Sequence, residues 1–155
     1  MADTRDLGHL RRIVVKLGSR VVTSPHLEAL VEQVCGLSAR DIEVVLVSSG
    51  AVATGMEIVG LPERPKELSQ LQALAAIGQA DLLGRYNRMM AAWDRRCAQV
   101  LLTHENISHR RHAMNVLRTL EDTLALGVLP VVNENDSVAT EELRFGDNDR
   151  LAASL

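Results

Sequence analysis

Four short apolar runs punctuate the chain: Ile13–Leu17, Ile42–Val47, Ala98–Leu102 and Val128–Val132. Three are rich in Val and Ile and barely alternate with polar residues, the pattern of strands buried on both faces of a parallel sheet. The run at Ala98–Leu102 is weaker. Between the runs, apolar residues recur at helical spacing. From His26 to Arg40 they are Leu27, Leu30, Val31, Val34 and Leu37. A second helix is expected from Gly50 to near Gly60, where Leu61-Pro62 breaks it. A long third helix runs from about Glu67 to Asp94, with a stripe of Leu68, Leu71, Ala75, Gly78, Leu82, Tyr86, Met89 and Trp93. That stripe reads as core or subunit contact. A fourth is predicted from Ser108, as N-cap, to Leu126, ending at a C′ glycine, Gly127. Strands alternating with helices make βαβ units. The predicted fold is therefore α/β, a three-layer αβα sandwich with a mostly parallel sheet.

Leu61–Lys66, with two prolines and mixed charges, reads as an exposed loop. Residues 1–11 are expected to be a flexible N-terminus, and 12–155 one domain without repeats or an internal boundary. A chain of 155 residues is long enough to bury most of its apolar surface. The chain stops within a helix begun near Asp147, so its end is expected to be a cut.

Composition narrows the function. The net charge of −3 comes without a basic stripe, and only Tyr86, Trp93 and Phe145 are aromatic, so neither nucleic-acid phosphates nor stacked bases are expected partners. No apolar run approaches the length of a membrane span, and Met1–Arg12 has no signal-peptide core. Cys35 and Cys97 lie far apart without a pairing motif. They read as reduced, buried thiols of a cytoplasmic protein.

In open α/β sheets ligands bind beyond the carboxyl ends of the strands, so the residues after each run carry the chemistry. Lys16-Leu17-Gly18-Ser19 closes the first run. Gly18 lets backbone N–H groups approach a phosphate and Lys16 offers it a charge, although a plain turn with a solvated lysine has the same sequence. Ser49-Gly50 opens a helix whose free N–H groups suit a carboxylate, or simply an N-cap. Asn133, Asn135 and Asp136 place amide and carboxylate groups on a loop after the fourth run, able to hold an ammonium or a carboxylate, or only to turn the chain. Asp147, Asn148 and Asp149 open the last helix and suit a cationic amine, Mg²⁺ or capping. Each cluster is weak alone; their joint placement at one sheet edge is the stronger signal. There is no Walker A loop and no G-x-G-x-x-G, which leaves a dinucleotide-binding domain little support. His104 and His109 resemble a zincin pair but sit at i, i+5, about 140° apart on a helix, so no metal ligand is assigned. The Arg95-Arg96 and Arg110-Arg111 pairs read as solvated helix faces.

These clusters carry a resemblance. V-V-K-L-G-S at Val14–Ser19, V-S-S-G-A-V-A-T-G at Val47–Gly55, L-A-A-I-G-Q at Leu74–Gln79, N-E-N-D-S-V-A at Asn133–Ala139 and F-G-D-N-D at Phe145–Asp149 are similar, in order and spacing, to the glutamate 5-kinases of the amino-acid kinase family. The likeness runs from Arg12 onward, and N-E-N-D followed by G-D-N-D is its specific part. It implies a truncated amino-acid kinase fold and transfer of the ATP γ-phosphoryl group to the γ-carboxylate of L-glutamate, the first step of proline synthesis, with ATP and Mg²⁺. By motif position it makes Lys16, Asp147 and Asp149 catalytic. Ser49, Gly50, Asn133, Asp136 and Asn148 would bind glutamate, and Lys16, Gly18 and Ser19 the ATP phosphates. Homo-oligomers and inhibition by proline are further family expectations.

The chemistry agrees. A carboxylate nucleophile is already ionised at neutral pH, so catalysis needs alignment and charge neutralisation rather than a base. Ser19 stands where the family commonly has threonine, and keeps the hydroxyl. The family's later strands, which hold adenine and ribose and supply another lysine, lie beyond Leu155, so the isolated chain is expected not to turn over. The alternatives are another amino-acid kinase, acting on N-acetylglutamate, aspartate or UMP, and a non-catalytic amino-acid-binding fragment.

Overall fold

In the computed structural model, residues 10–138 and 147–155 are described. The flexible N-terminus expected for residues 1–11 falls almost wholly outside them, as do Ala139, Phe145 and Gly146 of the quoted motifs. Strands β1 (Arg12–Leu17), β2 (Glu43–Ser48), β3 (Cys97–Leu102) and β4 (Leu129–Glu134) form one sheet in the order β1-β2-β4-β3. Every pairing in it is parallel. Helices α1 (Ser19–Val22) and α2 (Leu27–Ser38) link β1 to β2. Helices α3 (Ala51–Val59) and α4 (Leu68–Ala91) link β2 to β3, and α5 (His104–Ser108) and α6 (Arg110–Ala125) link β3 to β4. Helix α7 (Asp147–Ser154) follows.

The order explains the layers. Crossovers between parallel strands are right-handed, so a connection that reverses direction across the sheet must cover the opposite face. The steps β1→β2→β3 run one way and β3→β4 returns. Accordingly, α1–α4 pack on one face, over Ile13, Val15, Leu17, Val44, Leu46, Leu129 and Val131. Helices α5–α7 pack on the other, over Val14, Val45, Val47, Val100, Leu102 and Val132. Alternate residues of β2 thus enter separate cores, which is why that run shows no polar alternation. The expected αβα sandwich is what forms.

Helices α3 and α4 meet at backbone contact. A Cβ on Gly55 would overlap the backbone of Leu74, and one on Gly78 the carbonyl of Ala51 and the nitrogen of Gly55. Both positions have to be glycine.

Some boundaries differ from expectation. The weak run is an edge strand of the described sheet, mostly half-buried, which accounts for its diluted apolar content. The helix expected from Ser108 is two helices. Thr103 accepts the Asn106 N–H and Asn106 reaches back to the Thr103 N–H, a capping box that starts α5 early, and Ser108 ends it. Extended His109 precedes α6. The predicted stop at Gly127 holds, with its N–H donating to Leu124 and that of Val128 to Thr123. On α4 the buried stripe takes Met90 in place of Met89, and Trp93 lies past the helix end, 43% exposed. Residues 61–67 form the expected exposed loop. The cysteines are unpaired, Cys35 buried and Cys97 half-buried. Among the described residues no helix is long and apolar enough to cross a membrane.

Candidate active site at the carboxyl edge of the sheet

Register brings the sequence clusters together. Lys16 pairs with Val47, Val47 with Val132, and Val132 with Val100, so one row crosses the sheet. The residues that follow this row are Leu17, Ser48, Asn133 and Leu101. Polar side chains that are distant in sequence therefore end at one level because the strands are parallel and start in step.

The buried part of the site is a chain of side-chain hydrogen bonds. Asn148 Nδ2, in the first turn of α7, donates to Ser49 Oγ at 3.0 Å and to Asn133 Oδ1 at 3.1 Å. Asn133 Nδ2 donates to Gln79 Oε1 on α4 at 2.7 Å, and Asn133 Oδ1 also accepts the N–H of Glu134 at 2.9 Å. Asn133 is not on a loop, as its neighbours suggested; it is the fully buried penultimate residue of β4, held by its pairing with Leu101. Asn148 Oδ1 is buried and meets no donor among the described residues.

Beside it, Ser48 donates from Oγ to the Ser49 carbonyl at 3.0 Å and lies 2.8 Å from the hydroxyl of Tyr86. With the Ser48 proton committed, Tyr86 is the donor between them. Tyr86 is wholly buried, and burial pushes its phenol up to about 12 although the Ser48 bond works the other way.

Gly50 joins β2 to α3 with φ 108°, and a side chain there would press on Val22. This left-handed turn lets Ser49 lie against the end of β1, its N–H bonded to Leu17 at 2.9 Å.

The second part is ionic and open. Lys16 Nζ lies 2.6 Å from Asp149 Oδ1, with both side chains partly solvated. Gly18, with φ −75°, has a backbone any residue adopts, and a Cβ there would make only ordinary contact with Lys16 Nζ. Its glycine leaves open space beside the ammonium rather than meeting a need of the fold. Ser19 is the first residue of α1. Asp147 opens α7.

Asp136 follows β4 and lines a cavity of about 290 Å³ with Gln79, Gln99, Glu134, Asn135 and Ser137. Gln79 touches both this cavity and the buried amide chain. It was not among the sequence-derived site residues, although it closes the quoted L-A-A-I-G-Q segment; its polarity inside an apolar stripe was the available signal. Among the described residues no cluster of three or more His, Cys, Asp or Glu forms a metal cage.

The sequence profile described as "Amino acid kinase family" matches residues 11–155. The chain belongs to the amino acid kinase family. Its four parallel strands between helix layers are consistent with that family's fold, and its polar strand ends lie where ligands bind in open α/β sheets. Among curated relatives, the chain is 49% identical to the glutamate 5-kinase of Streptomyces coelicolor, over 99% of this chain and 43% of that protein. It is 50% identical to that of Thioalkalivibrio sulfidiphilus, over 99% and 43%. With that of Meiothermus ruber it shares 49% identity over 94% and 40%. The chain thus spans about two fifths of the length of these relatives.

Proposed function

We propose that this chain supplies the acceptor side of a glutamate 5-kinase: it holds L-glutamate at the carboxyl edge of the sheet for phosphorylation of its γ-carboxylate by ATP. The observation that carries the reading is the Asn148 side chain, which ties Ser49 to Asn133 one residue before the Lys16–Asp149 ion pair. An amino-acid site and a phosphate-seeking cation are thereby neighbours. The glutamate 5-kinase names of the relatives agree with it.

In this reading Ser49, Gly50, Asn133, Asp136 and Asn148 bind glutamate. Lys16, Gly18 and Ser19 face the phosphates, and Lys16, Asp147 and Asp149 are the catalytic set. A γ-carboxylate oxygen forms a bond to the γ-phosphorus as the bridging β–γ oxygen bond breaks, leaving ADP and γ-glutamyl phosphate. No proton moves, because the nucleophile is already ionised. The protein must hold the two anions in line and offset their repulsion, and Lys16 contributes a positive charge for that. Mg²⁺ is usually held by one or two carboxylates together with substrate phosphates. The exposed carboxylate of Asp149 fits that donor set, and bound Mg²⁺ would neutralise phosphate charge. Asp149 also pairs with Lys16.

Unpaired Cys35 and Cys97 suit a reducing compartment, so the proposed setting is the cytoplasm. Self-association and competition by proline for the glutamate site belong to the same reading. Titration calorimetry of the chain with L-glutamate tests it. Binding is expected, with proline displacing the amino acid. In Asn148→Ala the affinity should fall about 10- to 100-fold, the effect of losing a hydrogen bond to a charged ligand group. Equal affinity in Asn148→Ala and wild type would remove the site from α7, and binding of N-acetylglutamate or aspartate in place of glutamate would move the chain to another acceptor.

A further inference from the structure

We infer that Gln79 is a positioning residue: together with the Glu134 N–H it holds Asn133 in the orientation that makes Asn148 turn its carbonyl oxygen, and not its NH₂ group, toward the bound amino acid. The inference rests on the proposed glutamate site and identifies which part of the ligand that oxygen recognises.

The polarity can be followed from one group that admits no choice. The backbone N–H of Glu134 can only donate, and it points at the Asn133 side chain. Asn133 must therefore turn Oδ1 toward it, which aims Nδ2 at Gln79. Gln79 answers with Oε1, an acceptor. Asn133 Oδ1, already turned toward Glu134 and α7, can then receive only a donor from Asn148, and Nδ2 of Asn148 takes that place while also reaching Ser49. One amide thus orients the next, and the last is left with Oδ1 buried and without a donor among the described residues.

A buried acceptor without a partner costs free energy, so the arrangement is explained best by a ligand that brings a donor. At neutral pH, glutamate has a single donor group, its α-ammonium; both carboxylates only accept. An ammonium against Asn148 Oδ1 satisfies the orphaned oxygen and separates an amino acid from a plain dicarboxylate. Gln79 belongs to this recognition without touching the ligand. If its acceptor is removed, Asn133 Nδ2 is left buried without a partner, only the Glu134 N–H still holds the Asn133 amide, and Asn148 is less firmly held to presenting oxygen.

The test compares L-glutamate with glutarate, the same diacid without the amine, on the wild-type chain and on Gln79→Met and Gln79→Glu. Methionine keeps the volume and removes the acceptor, whereas glutamate at position 79 keeps an acceptor toward Asn133. The wild type should prefer glutamate by about 10- to 100-fold, the range for a hydrogen bond to a charged group. In Gln79→Met the preference should collapse to a few-fold at most, through weaker glutamate binding with glutarate unchanged; in Gln79→Glu it should return. Because the two ligands are compared on one preparation, a general loss of stability does not imitate the result. An unchanged ratio in Gln79→Met overturns the inference. The titrations are run without Mg²⁺, so a preference that appears only with the metal also overturns it. Side-chain amide resonances of the ligand-free chain give a second readout. Asn133 and Asn148 NH₂ signals protected from exchange in the wild type and altered together in Gln79→Met support the relay even where glutamate fails to bind, which would defeat the proposed function alone. Signals indifferent to Gln79 defeat the relay.

Discussion

Two halves of one sheet edge are built on opposite principles. Around Asn133 the groups are neutral, buried or half-buried, and hydrogen-bonded in a fixed order: Gln79, Asn133, Asn148 and Ser49, with Tyr86 and Ser48 beside them. Around Lys16 the groups are charged, partly solvated and joined by one ion pair to Asp149. A buried network transmits orientation and tolerates little change, because any member left unpaired costs its desolvation. A solvated ion pair is worth little and can exchange partners. The neutral half suits recognition of a ligand whose shape is constant. The ionic half suits a phosphate that arrives, is transferred and leaves.

The contrast breaks most completely at the helix contact behind the neutral half. Gln79 and Tyr86 both lie on α4, and Gly78 sets α4 directly on the backbone of α3. In Gly78→Ala the new methyl group has backbone on its far side and no flexible side chain to displace. The expected cost is about 3 kcal/mol or more, lowering the melting temperature by roughly 6–12 °C for a chain of this size. Glutamate binding should fall with it as Gln79 is pushed from Asn133. A thermal melt within a degree or two of the wild type would mean that α4 is not clamped where the structure has it.

A smaller effect is expected at high pH. Tyr86 is the single tyrosine, so tyrosinate absorbance reports one group. Burial raises its folded value to about 12 from an ordinary 10.0. Below pH 10 the phenol is protonated in both states and the full stability is present. Between 10 and 12 the unfolded chain releases this proton and the folded chain does not, so stability falls as pH rises. The loss across that window is up to roughly 2–3 kcal/mol. Burial likewise pushes the Cys97 thiol up to about 11, which adds a loss beginning near pH 9. The Tyr86→Phe variant should lose the share of the slope that Tyr86 adds between 10 and 12 and keep the share that Cys97 adds between about 9 and 11. It should also be less stable at neutral pH by about 1 kcal/mol, since Ser48 loses a donor. Denaturant unfolding of both proteins across the range measures this, and parallel curves would show Tyr86 to be accessible.

Much of this is legible in the sequence. Uninterrupted Val/Ile runs gave the parallel strands because β2 has no solvent face, and the polar clusters after Leu17, Ser48 and Asn133 marked the candidate site because parallel strands end at one level. What periodicity hides is which polar residue of a helix is buried. Gln79 sits next to Gly78 on the apolar stripe of α4, and nothing local says that its partner is Asn133, 54 residues on. The break at His109 was hidden for a different reason. Apolar spacing continues smoothly from Ile107 into α6, and the decisive signal was the Thr103–Asn106 pair, whose N-cap lies five residues ahead of the expected one at Ser108.

The smallest stability effect, and the sharpest separation of the two halves, should come from Lys16. Its side chain is 31% exposed and that of Asp149 65%, so water and salt screen the pair despite the short contact. Exposed pairs of this kind contribute about 0–1 kcal/mol, and Lys16→Met should stay within that range of the wild type. Glutamate affinity should change little, because the Asn148 bonds to Ser49 and Asn133 do not involve Lys16. A double-mutant cycle with Asp149→Asn, read by thermal unfolding at low and high salt, measures the coupling directly. A small coupling that fades with salt is expected. A coupling well above 1 kcal/mol that resists salt would mean that Lys16 is locked rather than poised, and its assignment to the moving phosphate would fall while the glutamate site stood.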